Sequence, residues 1–141
     1  MTGVVTRLIG VLLLGASASV LGVAGWLEPA ERGVGTHRQL GMQACGMLAD
    51  TGVPCVGCGM TTATALAVRG RFVAAAWTQP AGLGFAFLAA TGLYLGGWMS
   101  LTAADPRPAL RWLQTRRFAW WATAAVLLAW AWTAVRLRWL S

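Results

Sequence analysis

The sequence predicts an all-α membrane protein, and three observations predict it. Apolar runs recur at lengths that cross a bilayer. Hydrophobic residues make up 57 % of the 141 and charged residues only 11 %, against roughly 25 % charged in soluble domains. The net charge of +7 comes from eleven arginines and no lysine, and these sit at the edges of apolar segments together with many of the nine tryptophans. Guanidinium and indole groups both favour the lipid–water boundary. A nucleic-acid binder shares the positive excess but lines it along one polar face, which is not the pattern here. The expected architecture is a single membrane domain over residues 1–141. It has about three transmembrane helices, a Cys-containing extramembrane loop and short interfacial helices.

The first span is placed at 8–27. Leu8 to Trp26 is apolar and follows Arg7, and about 20 helical residues cross a ~30 Å hydrocarbon core. A cleaved signal peptide is the rival reading, because Ala16-Ser17-Ala18 resembles a cleavage site. The apolar run continues through Val20, Leu21, Val23 and Trp26, which favours a retained anchor. Residues 28–80 hold the polar loop and the interfacial helices. Ala44 to Asp50 suits a short helix, and Thr51-Gly52-Val53-Pro54 a turn, since proline disfavours helix at the residue before it. Met60 to Val68 and Phe72 to Trp77 read as two short helices interrupted at Arg69-Gly70-Arg71. One continuous crossing would set both arginines near mid-bilayer, at a cost of at least ~2.5 kcal/mol each.

The second span is placed at 81–101, without a charge. Its Gly92 and Gly96 have the small-xxx-small spacing that lets helix backbones approach. The third span, 118–137, has Trp120 and Trp121 at one end and Trp130, Trp132 and Trp139 toward the other. Three spans put the termini on opposite sides. The 102–117 loop has four arginines against Asp105, so it is expected in the cytoplasm and the cysteine loop outside. Arg136 and Arg138, on the external tail in this arrangement, run against it.

The chemistry concentrates in Val53-Pro54-Cys55-Val56-Gly57-Cys58-Gly59-Met60. Two thiolates three residues apart on a tight turn can hold one tetrahedral ion, and Cys45 with His37 upstream extends the set to Cys₃His, a zinc pattern. The candidate metal ligands are therefore Cys55, Cys58, Cys45 and His37. The alternative is thiol–disulfide redox at Cys55 and Cys58, with the helix start favouring the Cys58 thiolate. Copper(I) is a second alternative, because Met42, Met47 and Met60 are soft donors nearby. For the methionines the plainer reading is apolar packing, and for His37 an ordinary interfacial side chain. A c-type haem is excluded, since Gly59 occupies the position that attachment reserves for histidine. Glu28, Glu31, Asp50 and Asp105 are the only acids, which leaves little for general acid–base or two-metal catalysis. Arg69 and Arg71 suit interfacial anchoring, or else an anionic lipid or partner.

Gly52-Val53-Pro54-Cys55-Val56-Gly57-Cys58-Gly59-Met60-Thr61, then an alanine-rich helix, Arg69-Gly70, more alanines and Pro80 before a span, resembles a bacterial small membrane family, domain of unknown function 2752. That family's signature is roughly G-x-P-C-P-x-C-G-[LM]-T-R followed by Asn-Pro. The resemblance covers about residues 35–100, including Gly35 to Gly41 and Cys45, which are similar to a branch with an upstream His and third Cys. Val56 stands for Pro, Thr62 for the frequent Arg and Gln79 for Asn. The resemblance implies a multi-span protein of the bacterial inner membrane with no settled activity. The expected function is a non-enzymatic accessory or structural subunit with a zinc-like site in an external loop. It would pack against another membrane protein or its own copies and bind no nucleic acid. Three spans and a loop bury little alone, so a metal staple and a partner both help.

Overall fold

A computed structural model of the chain describes residues 3–108 and 110–139. The described residues contain six α-helices and no strand. Helix α1 runs over Gly3–Trp26, α2 over Gly46–Thr51, α3 over Met60–Val68, α4 over Phe72–Thr78, α5 over Pro80–Thr102 and α6 over Arg116–Trp139. Three of them, α1, α5 and α6, are long and apolar enough to cross a membrane. The fold is that of an all-α membrane protein.

The three long helices overlie the expected segments 8–27, 81–101 and 118–137; α1 starts earlier and stops at Trp26, and α5 and α6 extend one or two residues at each end. Helix α1 begins five residues before Leu8, because Val4 and Val5 extend the apolar face and Thr6 is buried at 2 % exposure. The break expected at Arg69-Gly70-Arg71 separates α3 from α4. Arg69 is not a simple surface anchor. Its guanidinium donates to the carbonyls of Ala24 and Gly25 at the end of α1 and of Ala65 in α3, at 3.0–3.2 Å. These are the carbonyls a helix end leaves without a partner, and a cation also suits the negative end of the helix dipole.

Helices α1 and α5 pack antiparallel along a seam of small residues. Gly10 faces Gly96 and Met99, and Gly92 faces Ser17. A Cβ added at Gly96 would lie 2.5 Å from the backbone nitrogen of Leu14, so the Gly92/Gly96 spacing marks a real packing face. Helix α3 packs on α5 and α1, with Ala63, Leu66 and Ala67 in a small core that also holds Ala75 of α4 and Ala86 of α5. Helix α6 is different. Its buried residues, Ala129, Thr133 and Arg136, are confined to its second half, while Trp120 and Trp121 stay more than three-quarters exposed. The ends of α1 and α6 and the start of α5 meet at one end of the molecule, where the loop between α1 and α3 lies.

Candidate metal centre

The site begins with a turn. The amide of Cys58 donates to the carbonyl of Cys55 (3.0 Å), and Met60 and Ala63 continue the pattern into α3 by bonding Gly57 and Gly59. Gly59 is required at this junction. Its φ is +85°, and a Cβ there would lie 2.9 Å from the carbonyl oxygen of Gly33; the left-handed region is costly for other residues. The turn is also gripped from outside. The Trp130 indole of α6 donates to the Pro54 carbonyl (2.8 Å). The Gln79 amide donates to the Val56 carbonyl (3.2 Å) and accepts from the Thr133 hydroxyl (2.9 Å). Gln79 is fully buried, so α6 and the start of α5 fix the backbone on both sides of Cys55.

Cys45 immediately precedes α2. That placement brings the third sulfur over the turn: the Sγ atoms of Cys45, Cys55 and Cys58 lie within 4.8 Å of one another, and those of Cys55 and Cys58 are 3.4 Å apart. A tetrahedral ion with ~2.3 Å bonds to sulfur spaces its sulfurs ~3.8 Å apart. The three sulfurs are thus gathered at the scale of one ion, with a small contraction or expansion of each pair. Cys58 is buried, and Cys45 and Cys55 are half-buried.

The sulfurs differ in proton affinity. The backbone N–H of Leu48, in the first turn of α2, is the main group that lowers Cys45 to about 7, and the Cys58 thiol adds to it. Burial, followed by the neighbouring Cys45 and Cys55, pushes Cys58 up to about 12. Such a cluster shares its protons unevenly, and a divalent cation would displace them, because thiolates are the ligating form.

His37 is not in the sulfur group. It lines a cavity of about 260 Å³ together with Cys45, Cys58, Arg32 and Arg38, but its Nε2–H donates to the Gln43 carbonyl (3.1 Å). The short 3-10 turn Thr36–Leu40 that carries it is pinned elsewhere: the hydroxyls of Thr36 and Thr62 share a buried hydrogen bond of 2.7 Å. Met42 and Met47 are exposed, and neither they nor Met60 line this cavity.

Residues 45–94 match the model of a family described as protein of unknown function (DUF2752). That segment is similar to the DUF2752 family. It starts at Cys45 and so contains all three sulfurs and Gln79, whereas His37 lies outside it. The expected resemblance over 35–100 is therefore met in its central part. No curated protein and no solved structure matches the chain. Reading the sequence alone passed over Gln79, Thr36, Thr62 and Thr133. The one available signal was at Gln79 and Thr62, where the chain departs from the Asn and Arg expected from the resemblance. Here Thr62 is 1 % exposed and bonded to Thr36, a position with no room for an arginine in the same packing.

Proposed function

We propose that the chain is a non-enzymatic integral membrane protein whose extramembrane loop is closed by a metal ion, zinc, bound by the Cys45, Cys55 and Cys58 thiolates. The convergence of the three sulfurs carries this reading. A loop of about thirty residues between α1 and α3 has little core of its own, since α2 has no buried residue. A bound ion supplies the closure that burial does not. His37, which lines the same cavity without being among the gathered atoms, supplies the fourth donor once its ring turns toward the sulfurs. With Nε2 protonated toward Gln43, its Nδ1 carries the lone pair, the usual arrangement when a backbone carbonyl orients a ligating histidine. The loop faces the outside of a bacterial inner membrane, opposite the arginine-rich 102–117 connection, and the protein serves as an accessory subunit of a larger membrane assembly.

Elemental analysis of the purified protein tests this. The expected result is one zinc per chain, lost in Cys45→Ser, Cys55→Ser and Cys58→Ser and weakened in His37→Ala. The 3.4 Å approach of Cys55 and Cys58 favours a second reading, a thiol–disulfide couple. A metal-free protein whose pair cycles reversibly, with Cys45→Ser unimpaired, decides for that couple.

A further inference from the structure

Arg136, in the last turn of α6, is 7 % exposed. Its Nε and Nη2 atoms are buried and have no hydrogen-bond partner among the described residues. The guanidinium lies against the backbone of Gly33, where an added Cβ would sit 2.7–2.8 Å from Nη1 and Nη2. Gly33 also has φ +74°. The loop thus makes room for this side chain without supplying it an acceptor. A buried charge lacking a counter-ion is strongly unfavourable, and the negative end of the α6 dipole offsets only part of that.

The two orphaned atoms share one edge of the guanidinium, the edge that receives two oxygens of a phosphate or carboxylate side by side. Arg136 also lines a cavity of about 310 Å³ whose other walls are Trp77, Trp132, Val135 and Trp139. No acid is among them. The Trp132 indole N–H is already engaged by the Trp77 carbonyl (2.8 Å), and the two rings meet edge to face at 4.9 Å. The cavity is therefore an aromatic, apolar enclosure with the orphaned Nε and Nη2 just beneath its wall, and a ligand there reaches them when the side chain turns outward. It lies at the end of a candidate span, the level at which tryptophans meet lipid headgroups.

We infer that Arg136 and its tryptophan walls bind the phosphate of an anionic phospholipid, the guanidinium edge taking the phosphodiester oxygens and the indole faces taking the first methylenes of an acyl chain. The site is separate from the cysteine cluster, and the inference does not depend on a metal there.

The test uses the full chain in detergent, stripped of lipid and titrated with phosphatidylglycerol, with bound lipid counted by native mass spectrometry. The wild type is expected to retain one phosphatidylglycerol. Arg136→Met should weaken retention at least tenfold and Arg136→Lys by less, since lysine keeps the charge but not the paired donors. Far-UV circular dichroism checks that each variant folds, and Arg136→Met removes an unpaired buried charge, which favours folding. Equal retention by folded Arg136→Met overturns the inference. So does equal binding of diacylglycerol, which lacks the phosphate. Displacement of the lipid by inorganic phosphate at matching affinity would assign the site to free phosphate and overturn the lipid.

Discussion

Two regions of this molecule are held together by opposite means. The α1–α5 pair is dry and close, with Gly10, Gly92 and Gly96 letting the backbones touch. Its cohesion is dispersion between surfaces that fit, the term left to helices when lipid is as apolar as the protein. The cysteine loop has almost no such surface. It is held by directed bonds from distant residues: Trp130 to Pro54, Gln79 to Val56, and Thr36 to Thr62. A packed seam fails when something is added to it, whereas a bonded loop fails when something is taken away.

That contrast can be broken most severely at Gly96. Leucine there would force side-chain atoms into the Leu14 backbone, which cannot yield as a flexible side chain does. Gly96→Leu is expected to cost about 3 kcal/mol or more and to separate α1 from α5, measured as lost helical signal at lower temperature in a detergent melt. Gly15 tests the specificity of this claim, since an added Cβ there meets nothing within 4 Å. Gly15→Leu should melt like the wild type.

The next effect belongs to the loop. Gln79→Leu keeps the volume and removes both amide contacts, while Thr133 retains its bond to Ala129 (2.9 Å). The loss is expected at about 1–3 kcal/mol. It should appear as faster amide exchange at residues 55–60 with no change along α1. If exchange rises equally in α1 and α5, the two regions are one cooperative unit and the contrast drawn above is wrong. A smaller change is expected from Arg69→Met, about 1 kcal/mol. The side chain is exposed, and water can replace it at the carbonyls of Ala24 and Gly25. Exchange should quicken at the junction of α1 and α3 alone.

The seam was legible in the sequence and the bonded loop was not, and the reason is the range of the interactions. Span length, apolar runs and the four-residue spacing of Gly92 and Gly96 are local patterns, so they survive in a one-dimensional reading. The break at Arg69-Gly70-Arg71 was readable for the same reason, from the cost of charge in lipid. Gln79 reaches Thr133 across 54 positions and Trp130 reaches Pro54 across 76, and no periodicity connects them. Of the site, Cys55 and Cys58 were legible from their spacing. Cys45 was a candidate because it shares the loop with the pair, and its convergence needed the loop's fold, in which it immediately precedes α2. His37 shared that loop, but the local Gln43 carbonyl turned its Nε2 aside. The tryptophans were read as a belt. Trp120 and Trp121 fit that role, while Trp130 and Trp132 are also hydrogen-bond donors that tie α6 to the loop and to α4.

The least costly perturbation is chemical, and it separates the sulfurs from one another. In metal-free, reduced protein, Cys45 is lowered to about 7 and half-buried, while Cys58 is pushed up to about 12 and buried. A lowered value means more thiolate at a given pH, so Cys45 should alkylate with iodoacetamide at a rate that rises through pH 6–8 and levels off above it. At neutral pH Cys45 is therefore much more ionised than Cys58. Mass-mapped alkylation over pH 6–9 should therefore mark Cys45 and leave Cys58 unmodified. Because α2 buries nothing, the modified protein should melt within about 0.5 kcal/mol of the untreated one. A large destabilisation on alkylating Cys45 alone would mean that this sulfur, without any metal, already fastens the loop to the helices, and the loop would then owe its closure to packing after all.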